Sequence, residues 1–128
     1  MKKYTDEEIV EMIKTVEDAE RLCGKDEKLN LNLTDTDKSV EAYKKLRFVI
    51  RQLNQGWVPD WSNLSQRKWF NWFYFSTGVY CRFSYSYSYN DAASATARAG
   101  SRLCFKSRAL AEYAAVQFKS LYEDYLLN

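Results

Sequence analysis

The chain has 128 residues, with 19 basic and 17 acidic side chains, three cysteines and no histidine. That length fits one domain spanning residues 1–128, large enough to bury roughly two-thirds of the surface its unfolded form exposes. Without histidine, Ser-His-Asp and Cys-His catalysis and every histidine-bearing metal site are excluded, and the four isolated glycines supply no phosphate-cradling loop.

Residues 5–23 have the pattern of an amphipathic helix. Thr5 or Asp6 can cap it, Glu7 and Glu8 suit the positive end of its dipole, and Gly24 ends it. Ile9, Met12, Ile13, Val16, Ala19, Leu22 and Cys23 recur at three- and four-residue spacing as one apolar stripe. Thr15 offers an alternative: as a second cap it would split the run into two helices. Residues 24–35 form a polar linker carrying Leu29, Leu31 and Leu33. A helix is expected from about Asp37 to Asn54, with Val40, Tyr43, Leu46, Val49, Ile50 and Leu53 as its buried stripe and Gly56 as its stop. Pro59 then forbids helix, and Trp57 and Trp61 plug the junction between helix and sheet.

From Trp57 to Tyr89 lie 13 of the 21 aromatic residues. The pattern predicts a hairpin turning at Ser76-Thr77-Gly78, its first strand Lys68–Phe75 aromatic on both faces. The second strand alternates: Val79, Cys81, Phe83, Tyr85, Tyr87 and Tyr89 against Tyr80, Arg82, Ser84, Ser86 and Ser88. A three-residue loop pairs Phe75 with Val79, which sets Tyr74 opposite Tyr80, Trp72 opposite Arg82 and Phe70 opposite Ser84. Residues 90–100 are small and polar, a loop or a brief helix capped by Asp91. Ser101–Lys106 has the alternation of a third strand, and Ser107 caps a last helix over Arg108–Leu127. Its stripe is Leu110, Ala111, Ala114, Phe118, Leu121, Tyr122 and Tyr125. The expected fold class is α+β: a small antiparallel sheet, the aromatic hairpin plus a third strand, packed against about three helices.

Charge is unevenly spread. Residues 1–27 carry five basic and nine acidic side chains, whereas residues 61–111 carry seven basic ones against Asp91 alone. Such a division serves either a polyanionic partner or attraction between the two halves of the molecule. Cys23, Cys81 and Cys104 are odd in number and lack metal-ligand spacing, which fits a reducing compartment and predicts no metal or other cofactor, with Cys81 and Cys104 expected as buried small hydrophobes. The acidic N-terminal segment has no signal-peptide pattern and no apolar run is long enough to span a bilayer, so a cytoplasmic protein without a membrane partner is expected.

Several segments carry a resemblance: Gly56-Trp57 with Pro59-Asp60-Trp61, the strand around Trp72-Phe73, and Gly100-Ser-Arg-Leu-Cys-Phe-Lys-Ser-Arg108 with Glu112-Tyr113-Ala114 and Gln117-Phe118. Together with Val16-Glu17-Asp18-Ala19, they resemble a family of small uncharacterised proteins from Bacteroides-type gut bacteria and their phages or integrated elements. The resemblance implies a mobile-element context and no catalytic residues.

Two non-enzymatic functions fit the residues. One is a protein-binding or self-associating module, because Tyr, Trp and Arg are enriched at interface hot spots. The other is a single-stranded nucleic-acid binder, with bases stacking on Phe70, Trp72, Tyr74, Tyr80 and Arg82 while Arg67, Lys68, Arg102, Lys106 and Arg108 hold phosphates. The candidate surface is therefore Phe70, Trp72, Tyr74, Tyr80, Arg82, Arg102, Lys106 and Arg108. A formal charge of +2 is modest for the second reading and favours the first.

Overall fold

In the computed structural model the described residues are 3–23, 37–63, 65–76, 82–91 and 101–127; at Tyr74–Ser76, 82–91 and Ser101 the description is of the backbone. Thr5 opens α1 (Asp6–Met12) with a capping box: its hydroxyl accepts from the Glu8 amide (3.2 Å) and the Glu8 carboxylate accepts from its own (3.1 Å). The helix stops at Ile13, whose backbone is extended. A second capping arrangement comes at once. Thr15 accepts from the Asp18 amide (3.1 Å), and Asp18 accepts from the Lys14 and Thr15 amides, so α2 (Val16–Cys23) starts as a separate helix. The single helix over 5–23 is thus replaced by the split that Thr15 allows.

The carbonyls freed at this break are taken up from the far end of the chain. Tyr113 donates its hydroxyl to the Ile13 carbonyl (2.7 Å), and Gln117 its amide to that of Lys14 (2.8 Å). A break between helices leaves such acceptors orphaned unless something meets them. Here both partners lie on one face of the helix Arg108–Gln117.

Asp37 caps α3 (Lys38–Leu53) through the Ser39 amide (3.1 Å). Leu46, Val49, Ile50 and Leu53 are buried as the periodicity demands, while Val40 at its first turn is exposed. Gln55 (φ +52°) and Gly56 (φ +83°) terminate the helix in left-handed backbone, a geometry that glycine adopts without steric cost. The two amides at this end are used alike. Gln55 accepts from the Tyr4 amide and donates to the Tyr4 carbonyl, both at 2.7 Å, and so pins the entry to α1. Asn54, buried, donates to the Cys104 carbonyl (2.9 Å) and accepts from the Lys106 amide (3.0 Å).

The sheet is where the sequence expectation fails. An α+β fold with a three-stranded sheet is not formed: among the described residues five helices build the core, and extended structure is confined to one two-stranded ribbon, β1 (Lys68–Ser76) and β2 (Arg82–Asp91). The segment expected as a third strand is a 3-10 turn (Ser101–Leu103) followed by one antiparallel bridge, Trp69 with Phe105, closed by bonds of 3.1 and 2.7 Å. Asn54 occupies its outer edge at Cys104 and Lys106, and Ser107 turns the chain into α4 (Arg108–Gln117) two residues after the bridge.

The hairpin register also differs from expectation. Trp72 pairs with Tyr87, not Arg82; Tyr74 pairs with Ser84, Phe70 with Tyr89, and Arg82 with Ser76. A one-residue slip between Trp72 and Phe73 marks a bulge at Ser86. Because of it, Tyr87 and Tyr89 pair with the even-numbered Trp72 and Phe70, whereas Phe83 and Tyr85 pair with the odd-numbered Phe75 and Phe73. The alternating pattern of β2 is compatible with either register, and only the pairing separates them.

The last helix is likewise two. At Phe118 (φ −112°, ψ 28°) the chain leaves helical geometry, and α5 (Lys119–Leu127) continues in a new direction along α3 while α4 crosses both strands of the ribbon. No glycine or proline marks this break; buried Phe118 itself sits in the core. That core gathers Ile9, Ile13, Leu46, Ile50, Leu53, Phe105, Leu110 and Tyr122 among others. Tyr43 against Tyr125 (ring centroids 5.2 Å) fastens α3 to α5, and Phe73 against Tyr122 (4.6 Å) fastens the ribbon to it. Replacing Asn54 by alanine leaves a carbonyl and an amide unpaired in the interior, so urea unfolding of Asn54→Ala should show a midpoint lowered by about 1–3 kcal/mol in stability with an unchanged slope.

Candidate functional site

Strand alternation divides β1 into two sets. Trp69, Asn71 and Phe73 turn toward the helices: Trp69 and Phe73 pack on the core, and Asn71 donates to the Tyr122 hydroxyl (3.2 Å). The other set moves from interior to solvent along the strand. Lys68 is fully buried, Phe70 is 1 % exposed and Trp72 is 39 % exposed. The inward end of that progression is held by the Trp57–Gln66 loop. Asp60 accepts from the Ser62 amide (3.0 Å) and hydroxyl (2.6 Å), and Gln66 accepts from the Asp60 amide (2.6 Å). The Ser62 bonds, helped by the nearby Lys68 charge, hold the Asp60 carboxyl below the usual carboxylate range. Lys68 then closes the loop onto the strand. Its ammonium donates to the carbonyls of Asn63 (3.1 Å) and Gln66 (2.9 Å) and lies 5.0 Å from the Trp61 ring centroid.

Of the eight candidate surface residues, the structure describes the burial of five. Phe70 is interior, which corrects its assignment to an exposed stacking face. Trp72 is exposed, and so is Arg102. These two lie at the same end of the Trp69–Phe105 bridge, three residues from it on either chain segment. Lys106 and Arg108 lie at the opposite end and are engaged with acids: Lys106 reaches Asp6 at 4.0 Å and Arg108 reaches Glu112 at 2.7 Å. For Tyr74 and Arg82 the backbone register alone is described, and Tyr80 is outside the described residues. Among the further cations expected to hold phosphate, Lys68 is enclosed and Arg67 is exposed.

Among the described residues the acidic N-terminal region and the basic stretch meet at Asp6. Asp6 accepts from the Ser107 hydroxyl (2.6 Å) and faces Lys106, so the first helix and the start of α4 are tied by charge and by hydrogen bond. Sequence reasoning missed Lys68 and Asn54 as structural centres. A lysine between Arg67 and Trp69 shows no sign of burial, and an asparagine behind a helix resembles any C-terminal cap.

Chemistry at the site is limited by the thiol beside it. Cys104 is buried, and burial pushes its pKa up to about 11 from 9.0 despite the opposing influence of Lys68. At neutral pH it is therefore a protonated thiol, not a thiolate nucleophile. Among the described residues no three His, Cys, Asp or Glu side chains gather to hold a metal ion, and no helix is long and apolar enough to cross a membrane. The chain finds no match among protein-family models, curated proteins or solved structures.

Two measurements test this geometry. Lys68→Ala removes the cation that closes the loop and should cost about 1–3 kcal/mol, whereas the neighbouring Arg67→Ala should stay within about 0.5 kcal/mol. The folded Cys104 thiol holds its proton more tightly than the unfolded one, so its contribution to stability is full below about pH 9 and is lost as pH rises toward about 11. Denaturant midpoints measured across that window should fall for the wild type and fall less for Cys104→Ala.

Proposed function

We propose that the chain is a non-enzymatic interaction module that binds a protein partner or a second copy of itself. One observation carries this reading: Trp72 stands 39 % exposed on a strand whose two preceding residues of the same face are buried. A rigid aromatic anchor that emerges from a packed strand is the usual centre of a protein-binding hot spot. The resemblance to small proteins of phages and integrated elements supports an accessory role in such an element. Single-stranded nucleic acid is the less favoured partner. Three of the cations it would use are engaged within the molecule, Lys68 by carbonyls and Lys106 and Arg108 by carboxylates, which leaves Arg67 and Arg102.

Wild type and Trp72→Ala, immobilised side by side, provide the test. A partner retained by the wild type at 200 mM salt should be lost from Trp72→Ala, with the two proteins unfolding at similar denaturant concentrations. Binding of an unstructured oligonucleotide that falls steeply between about 50 and 200 mM salt and is abolished by Arg102→Glu would replace this reading with the nucleic-acid one.

A further inference from the structure

We infer that the α1–α2 junction is a two-state hinge, bent while α4 holds the Ile13 and Lys14 carbonyls and straightening into one helix when those donors are withdrawn. In an unbroken α-helix the Ile13 carbonyl accepts from the Glu17 amide and the Lys14 carbonyl from the Asp18 amide, four residues on. In the bent form other groups hold those places. Tyr113 donates its hydroxyl to Ile13 (2.7 Å), Gln117 its amide to Lys14 (2.8 Å), and the Asp18 amide goes to the Thr15 hydroxyl (3.1 Å). Straightening is thus an exchange of partners at two named carbonyls, and neither carbonyl is left unpaired in either form.

The chain is compatible with both forms. Ile9, Ile13, Val16, Ala19 and Leu22 recur at three- and four-residue spacing straight through the junction, and neither glycine nor proline interrupts the run. Helices of seven and eight residues fall below the length, about 12–15 residues, at which an isolated helix is even marginally stable in water, and joining them removes one nucleation. Against this stand the Thr15–Asp18 cap and the two donors from α4. The cap is local and travels with the segment, so the donors from α4 decide between the forms. α2 is the arm that swings. Its one fully enclosed residue is Ala19, whereas α1 and its cap bring Ile9 and Ile13 into the core, and Asp6 ties α1 to Ser107 (2.6 Å). A ligand that competes for the Tyr113 and Gln117 donors shifts the balance toward the straight form by its difference in affinity for the two.

Backbone NMR of the full chain carrying Tyr113→Phe with Gln117→Ala tests the inference. The wild type should show non-helical carbon shifts at Ile13, Lys14 and Thr15. The double variant should show helical shifts there, with the Glu17 and Asp18 amides exchanging about tenfold more slowly than in the wild type. Adding Val16→Pro should restore the wild-type pattern, because proline is accommodated at the first position of α2 but interrupts a continuous helix. A folded double variant whose junction stays non-helical overturns the inference, and so do helical shifts that survive Val16→Pro. If the double variant does not fold, Gln117→Ala alone, at an exposed side chain, decides. Lys14 and Thr15 shifts that move toward helical values support the hinge, and unchanged shifts refute it.

Discussion

Residues 104–106 are gripped from both sides, and the rest of the molecule is arranged about that grip. Trp69 takes the inner backbone groups at Phe105, and the Asn54 side chain takes the outer ones at Cys104 and Lys106. A short extended segment in a protein interior has no other way to satisfy its amides and carbonyls, since water is excluded. The consequence is positional. The end of α3 is held against β1, the turn at Ser107 is brought to Asp6, and α4 starts where it must cross the ribbon. An asparagine side chain here takes the place that a neighbouring strand has in a larger sheet.

The helices obey a related logic. Two of them are interrupted, after Met12 and at Phe118, and neither interruption has a proline or glycine behind it. The first is stabilised from outside, because Tyr113 and Gln117 supply donors for the carbonyls it frees. The second redirects the chain so that α5 can lie along α3 through Tyr43 and Tyr125. Each interruption exchanges a few helical bonds for tertiary packing. Most helical stability in folded proteins comes from packing of this kind.

Among the described residues of the basic stretch, three cations are engaged within the molecule. Lys68 caps a loop, Lys106 faces Asp6, and Arg108 faces its helix neighbour Glu112. A sequence that looks basic over 61–111 therefore offers an outside partner less positive charge than its composition implies. Exposed pairs of this sort contribute little stability, but they neutralise the cations a polyanion would need. The exposed ring of Trp72 is among the apolar groups the described surface offers instead.

Local chemistry alone determined much of this protein. The caps at Thr5, Thr15 and Ser107, the stripe of α3, the stop at Gly56 and the existence of two aromatic strands all arise from side chains a few residues apart. The exposure of Trp72 was legible as one of two alternatives, but the burial of Phe70 beside it was not. Tertiary structure decided what the pattern left open. A period of two is indifferent to a register shift, so Trp72 met Tyr87 and not Arg82. Alternation in residues 101–106 is equally indifferent to whether the next strand or an asparagine satisfies its edge. The interior fate of Lys68 depended on carbonyls and a tryptophan ring delivered by a loop, which no spacing along the chain encodes. Periodicity specifies which side of an element is apolar; only the packed molecule specifies what that side meets.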